Sequence, residues 1–302
     1  MSTSFNTIYN DMKSSLKLAW GSVLSYFLAN LGMILVIGLL FVVIAIPVAI
    51  AMFIAAGANW AALEIWMQSF ATANPFVIGG IALAFLVPIV SLFLVVVGSI
   101  YGMSKELVAT GETKAELAFS YFRHKFFSFA GAGALLTVII ILPMVALWGA
   151  VSLLNGYTVP LSYSTILSVI TFVWVFFTVG LCANVFPAIT YGAGVIDAFK
   201  ESFDLAMQRF DRVYGLLSAI IVLALITFGP MILWGLSLAP VVPPMTPALT
   251  PLAGAVIAWT VVSFFLWVLL LLPMIIITWV RTYADMTGKE IASPYAPEIP
   301  IV

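Results

Sequence analysis

The chain has 302 residues, of which 64% are apolar and 8% are charged, and its formal net charge is −1. Soluble domains carry about 25% charged residues, so this composition excludes an ordinary soluble domain. Long charge-free stretches separate small clusters of charged residues. Because a bilayer-spanning helix needs about 20 apolar residues, the sequence predicts an all-α integral membrane protein, with a single membrane domain over residues 1–302.

An amphipathic helix precedes the first predicted span. Its apolar side chains recur every three or four residues and share one face; they are Phe5, Ile8, Met12, Leu16 and Trp20. Similar helices precede the third span, at 116–129 after a stop at Gly111, and the fifth span, at 195–214. The sequence therefore predicts three amphipathic helices on one side of the membrane.

Six spans are predicted, with approximate cores at 23–54, 77–104, 128–153, 164–192, 213–238 and 252–280. Each span contains one proline. Proline removes a backbone hydrogen bond from a helix and bends it, so kinks are expected at Pro47, Pro88, Pro143, Pro187, Pro230 and Pro273. Six such sites, with no charge nearby, favour a kinked bundle over a single binding site in a broken helix.

The connections on the other side of the membrane lack basic residues. Residues 58–70, which include Trp60 and Trp66, predict a helix lying in the membrane interface. The connection between the last two spans has prolines at 240, 243, 244, 247 and 251, which predict a stiff extended segment. Trp148 and Trp234 are expected to anchor the same interface.

The basic residues predict the orientation. All 11 Lys and Arg residues lie in the N-terminal arm, the second and fourth connections and the C-terminal tail. Short connections rich in Lys and Arg stay in the cytoplasm. The expected location is therefore the cell membrane, with both termini cytoplasmic.

The arrangement of amphipathic helix, span, connection and span occurs three times, over 1–110, 111–193 and 194–302. Tyrosines recur at 101, 191 and 283, and SLKLA at 15–19 resembles SFDLA at 202–206. An even number of spans in each copy predicts parallel repeats about an axis along the membrane normal. The alternative is a resemblance that any apolar segments would share.

Few side chains in the predicted spans are polar or reactive. Asn30, Asn184 and Thr178 are the candidate polar contacts. They have two interpretations, lining a solute path or hydrogen-bonding a neighbouring helix, and the second is favoured; such bonds are worth about 0.6–2 kcal/mol. Cys182 is expected to be a buried core thiol, and His124 a histidine at the surface or facing headgroups.

No nucleophile with a base and no metal-ligand spacing is present, so no enzyme activity, metal or cofactor is expected. The cytoplasmic side has 11 acidic residues against 11 basic ones. That balance excludes a strong overall nucleic-acid patch, although the basic cluster around His124 is suited to lipid headgroups.

Two segments carry a family resemblance. SIYGMSKELVATGETKAELAFSYFRHKF (99–126) and GVIDAFKESFDLAMQRFDRVYGLL (194–217) resemble stand-alone archaeal and bacterial six-helix proteins of unassigned function. These are related to the membrane domain attached to some glycerophosphodiester phosphodiesterases. The resemblance implies the fold and no activity, since the metal ligands of the phosphodiesterase barrel are not expected here. Mitochondrial carriers also have three two-helix repeats with prolines. In carriers an acidic and a basic residue follow each proline, whereas the corresponding positions of the first copy here are Ala49 and Met52. The sequence therefore rejects that family.

Two functions fit these features. The first is a non-catalytic scaffold or accessory subunit of a membrane complex that contacts lipids and binds protein partners or further copies of itself. The alternative is a permease for a small neutral or lipid-like solute.

Overall fold

The structure is a computed structural model that describes residues 5–55, 57, 59–156, 159–238 and 251–291. Within these residues it contains helices and no strand. The helices are α1 (Phe5–Gly21), α2 (Val23–Ala55), α3 (Trp60–Ala73), α4 (Pro75–Thr110), α5 (Ala115–Leu136), α6 (Leu142–Leu154), α7 (Leu161–Cys182), α8 (Val185–Thr190), α9 (Val195–Gln208), α10 (Phe210–Leu238), α11 (Pro251–Leu266) and α12 (Leu272–Thr287). Two π-helical segments, Thr137–Ile141 and Trp267–Leu271, join α5 to α6 and α11 to α12.

Six helical stretches are long and apolar enough to cross a membrane, which confirms the predicted all-α fold with six spans. They are Val23–Ile54, Gly79–Thr110, Ala115–Leu154, Leu161–Thr190, Phe210–Trp234 and Gly254–Thr287. The shortest has 25 residues, which at 1.5 Å per residue exceeds the hydrocarbon thickness of about 30 Å. The chain is therefore a multi-pass membrane protein.

The predicted prolines fall into two groups. Pro47, Pro88 and Pro230 lie inside α2, α4 and α10. The other three coincide with changes in helical hydrogen bonding: Pro143 and Pro273 directly follow the π-helical segments, and Pro187 lies in α8, just after the helix is interrupted at Ala183 and Asn184. Departures from α-helical hydrogen bonding, such as π-helical turns, commonly mark distorted helices. The bend at each proline stays a prediction.

The fold has two compact units. Unit 1 contains 1–27, 101–117 and 179–302, and unit 2 contains 28–100 and 118–178. In unit 1, α12 is the most buried span, and α1 and α8 both pack against it. Its fully buried side chains include Ile277, Val280 and Tyr283. The three predicted repeats stay a prediction.

The amphipathic helices α1 and α9 pack through their small residues. Ser15 and Ala19 of α1, and Ser202 and Ala206 of α9, are completely buried. Small side chains let helices approach closely. Larger apolar side chains of the predicted faces stay exposed instead, among them Phe5, Leu16 and Trp20 in α1 and Ile196, Met207 and Phe210 in and next to α9. The sequence pattern identified the apolar faces, but only part of each face packs against protein.

Unit 2 packs through close contacts between glycines and bulky neighbours. Phe129 of α5 is fully buried, and its ring lies where a side chain on Gly98 of α4 would be. Gly133 of α5 lies against the backbone of Ser91 in α4. By contrast much of α2 is uncovered, although its Ala29 and Met33 are completely buried. Its exposed side chains include Leu24, Leu28, Leu31, Leu35 and Leu39.

The predicted interfacial segment at 58–70 is helical, with its bounds shifted to Trp60–Ala73. Asn59 caps this helix, because its Oδ1 accepts hydrogen bonds from the backbone N–H groups of Ala61 (2.9 Å) and Ala62 (3.4 Å). Trp60 and Trp66 are exposed, and their depth in the membrane stays a prediction. The proline-rich segment 240–247 lies outside the described residues; Pro251 begins α11.

Replacing Gly98 with alanine should destabilise unit 2. An added Cβ would lie 2.5 Å from the Phe129 ring, and overpacking of this kind costs about 1–3 kcal/mol. Gly79→Ala is the matched control in the same helix, because nothing lies within 4 Å of its added Cβ. Thermal unfolding in detergent should give a lower Tm for G98A and an unchanged or higher Tm for G79A. Equal values would contradict the described packing.

Candidate functional site

A polar centre in unit 1 is built on Thr227, which lies three residues before Pro230 in α10. The backbone carbonyl of Thr227 accepts hydrogen bonds from the indole Nε1 of Trp259 (2.8 Å) and from the hydroxyl of Ser263 (3.2 Å). The Thr227 hydroxyl accepts a third from Trp267 Nε1 (2.8 Å). The three donors are spaced four residues apart, so they lie on one face of α11 and the following π-helical segment. One threonine therefore joins α10 to the next span.

Unit 2 contains a similar arrangement around Pro143. Trp174 Nε1 in α7 donates to the backbone carbonyl of Ile140 (3.2 Å), which lies three residues before that proline. Trp148, five residues after Pro143, donates to the Thr171 hydroxyl in α7 (2.9 Å). The two indoles thus join the third span to the fourth.

The two arrangements share one physical cause. A proline ring removes an N–H group and pushes against the preceding turn, which disturbs carbonyl groups there. In lipid no water replaces the lost donor, so neighbouring helices must supply it. The carbonyl that loses its N–H partner lies four residues before the proline, and Trp174 and Trp259 bond the next carbonyl of that turn, three residues before Pro143 and Pro230. The prolines and an interfacial Trp148 are predicted from the sequence, but these indole bonds are not.

The candidate polar residues do not form one site. Asn30 is half-buried in α2, and Thr178 is buried in α7. The Thr178 hydroxyl donates to the Trp174 carbonyl (2.7 Å) in its own helix. Asn184 is completely buried after the end of α7. Within the described part of the chain, no hydrogen bond joins any two of these residues.

A bond from the Asn184 side chain to a neighbouring helix stays a prediction. Neither Nδ2 nor Oδ1 has a hydrogen-bond partner among the described residues. The bond to a neighbouring helix comes from the backbone instead, because the helix is interrupted there and an N–H group is left over. Asn184 N–H donates to the Ser202 hydroxyl (3.1 Å), which itself donates to the Leu181 carbonyl (2.6 Å). Ser202 of α9 therefore bridges the interruption.

A charged cluster in unit 1 joins α1, α10 and α12. Arg212 Nη2 lies 2.9 Å from Asp11 Oδ2, and Arg212 Nη1 bonds Asp285. The Arg212 and Asp11 side chains are 15% and 16% exposed, so water screens this pair only in part. Removing one partner of such a pair leaves a poorly solvated charge. The cluster therefore fixes which ends of these three helices meet.

Aromatic and charged groups extend this cluster. The Tyr283 hydroxyl donates to Glu201 Oε1 (2.6 Å), and its ring packs on that of Tyr191, with centroids 5.4 Å apart. Lys105 Nζ lies 5.2 Å from the Tyr191 ring centroid, a distance suited to a cation–π contact. Burial, and then the charge of Glu106, raise the pKa of Tyr191, so this phenol stays neutral. Sequence analysis used these tyrosines only as repeat markers.

No group of three or more His, Cys, Asp or Glu side chains suited to a metal ion occurs among the described residues. The single cysteine, Cys182, is buried, in agreement with the predicted core thiol. His124 is exposed on α5, and its Nδ1 lies 2.8 Å from the Ser120 carbonyl. Comparison with protein-family models, curated proteins and solved structures finds no match to this chain.

A double-mutant cycle tests the Thr227 centre. Trp267→Phe removes the indole donor and Thr227→Val removes its acceptor, and each should lower stability by about 0.6–1.7 kcal/mol, the range of hydrogen bonds between membrane helices. Because the two groups bond each other, the double variant should lose less than the sum of the single losses. Unfolding in mixed SDS micelles measures each value. Trp66→Phe, at an exposed site, is the control. Additive losses would contradict the bond.

Proposed function

We propose that the protein is a non-catalytic scaffold or accessory subunit of a membrane complex in the cell membrane. One observation carries this proposal: apart from Ser263, which donates to Thr227 of another helix, the hydroxyl groups named below donate to their own helices. Each bonds the carbonyl four residues earlier at 2.6–2.9 Å; they are Ser91, Ser99, Thr137, Thr178, Thr227, Thr260 and Thr278. A polar solute path needs such donors to face the solute, so this pattern favours a structural role.

The exposed apolar surface of α2 supports the same function. In α2, Leu28, Leu31, Leu35 and Leu39 form a line of exposed side chains that unit 2 leaves uncovered. Helices associate in membranes through packing of such surfaces and not through exclusion of water. Lipid covers part of this surface, and a partner chain or a second copy of this chain is proposed to pack on the rest.

The alternative permease is favoured by a groove between α2 and α4 in unit 2. Its volume is about 510 Å³, and its lining includes Phe41, Ala45, Ala49, Phe85 and Pro88. All its lining residues are apolar. Because nothing in the groove would replace the hydration of a polar molecule, the permease alternative is restricted to a lipid-like solute.

The six-helix prokaryotic proteins that the sequence resembles remain a proposed family for the chain.

Native mass spectrometry of the chain extracted in mild detergent tests the scaffold proposal. We expect masses above 32.6 kDa, made of partner chains or additional copies. Because α2 is the least buried span, Leu35→Trp should remove this assembly. Ile226→Trp, at a similarly exposed residue of α10, should keep it. A single chain that retains a small bound solute would contradict the proposal and support the permease.

Cysteine labelling tests the proposed orientation, with both termini in the cytoplasm. Glu64 and Glu112 are exposed, in α3 and after α4. In a chain whose buried Cys182 is replaced by alanine, Glu64→Cys should react with an impermeant maleimide in intact cells. Glu112→Cys should react only after lysis, because short connections rich in basic residues stay in the cytoplasm. The reverse pattern would refute the orientation.

A further inference from the structure

One face of α5 carries exposed residues along about three turns. They recur at the three- and four-residue spacing of a single helical face and are Glu116, Phe119, Ser120, Arg123, His124 and Phe127. Phe127 is 87% exposed. Polar and charged groups occupy the first turns, and the most exposed aromatic ring comes last, nearest the apolar continuation of the span. Polarity therefore changes along this face in the direction in which the chain enters the membrane.

The cations on this segment have no acidic partner in their own unit. Unit 2 has two Lys or Arg residues, Arg123 and Lys125, and one acidic residue, Glu64. Glu64 lies in α3, before α4, and the 36 residues of α4 separate it from α5 along a helix of about 54 Å. In unit 1, by contrast, Arg212 bonds two aspartates and Lys105 lies 3.6 Å from Glu106.

The spacing along α5 fits the depth of a headgroup layer. Arg123 lies four residues before Phe127, which is about 6 Å along the helix axis. The polar layer on each side of a bilayer is roughly 5–8 Å thick. With Phe127 at the edge of the hydrocarbon, Arg123 and His124 lie among the phosphates. Glu116 lies seven residues before Arg123, about 10 Å further out, beyond that layer.

From this placement we infer that Arg123 binds the phosphate of an anionic phospholipid headgroup, with Phe127 inserted beside the acyl chains. The planar guanidinium presents paired N–H donors that match phosphate oxygens. His124 Nδ1 lies against the Ser120 carbonyl, which leaves Nε2 as a second donor to the headgroup when the ring is protonated. Lys125, half-buried on another side of α5, adds positive charge near the site. The inference deepens the proposed lipid contacts and relies on the proposed function for the membrane position of α5.

Native mass spectrometry of the full chain, titrated with phosphatidylglycerol or phosphatidylcholine of the same acyl chains, tests this site. The unaltered protein should retain phosphatidylglycerol more strongly. Arg123→Gln should weaken phosphatidylglycerol binding about fivefold, which is the effect of one basic residue near an anionic surface, and should weaken phosphatidylcholine binding less, because the choline cation offsets the charge of its phosphate. Arg123→Lys should restore part of the preference. Phe127→Ala should weaken the binding of both lipids.

Arg209→Gln is the matched control, because Arg209 is an exposed arginine of unit 1, and it should leave the preference unchanged. Equal retention of the two lipids by the unaltered protein would overturn the inference, as would equal losses in R123Q and R209Q. Displacement of phosphatidylglycerol by millimolar glycerol phosphate would overturn it too, since it would indicate a site for a soluble phosphate. The same spectra show co-purifying chains. If the unaltered protein keeps its lipid preference but carries no co-purifying chains, the scaffold function is refuted and the lipid site is not.

Discussion

Every carbonyl of a membrane-spanning helix needs a donor from the protein itself, because the hydrocarbon core holds no water to replace one. A proline in each span makes this requirement acute, since each ring lacks an N–H group and disturbs the turn before it. At two of the six prolines, a tryptophan of the following span bonds the disturbed turn. Trp174 and Trp259 donate to the carbonyl three residues before Pro143 and Pro230. Bulky indoles thereby connect consecutive spans, and the prolines become points of attachment between helices.

The same constraint explains the polar groups of the spans. Hydroxyls such as those of Thr178 and Thr278 bond their own helices, which keeps them from lipid without a partner elsewhere. The two units differ in whether an arginine has acidic partners. Arg212 lies between two aspartates in unit 1, whereas Arg123 in unit 2 has no acid of its own unit beside it. The first arrangement serves the fold, and the second is suited to a ligand from outside the chain.

The sequence was sufficient for the spans because their signal is local: about 20 consecutive apolar residues and clustered charges. It was also sufficient for the helix at Trp60–Ala73, whose asparagine cap lies beside it in the chain. It did not predict the bonds to Thr227, because their donors lie 32 to 40 residues away and apolar periodicity does not say which helices are neighbours. The packing faces of α1 and α9 were predicted only in part, since Ile8 and Phe199 of the predicted apolar faces are buried but the small residues beside them were not expected to be. Apolar size marks a face suited to lipid, whereas Ser15 and Ser202 are buried because they are small.

The two π-helical segments have a consequence for how this chain is aligned with others. A π turn closes its hydrogen bond over five residues where an α turn uses four, so it accommodates one additional residue without ending the helix. Each residue turns the helix by about 100°, and side chains beyond Thr137–Ile141 or Trp267–Leu271 are offset accordingly. Alignments that forbid gaps inside helices will therefore lose register at these segments. Allowing one-residue gaps there is the appropriate treatment when this chain is aligned with distant sequences.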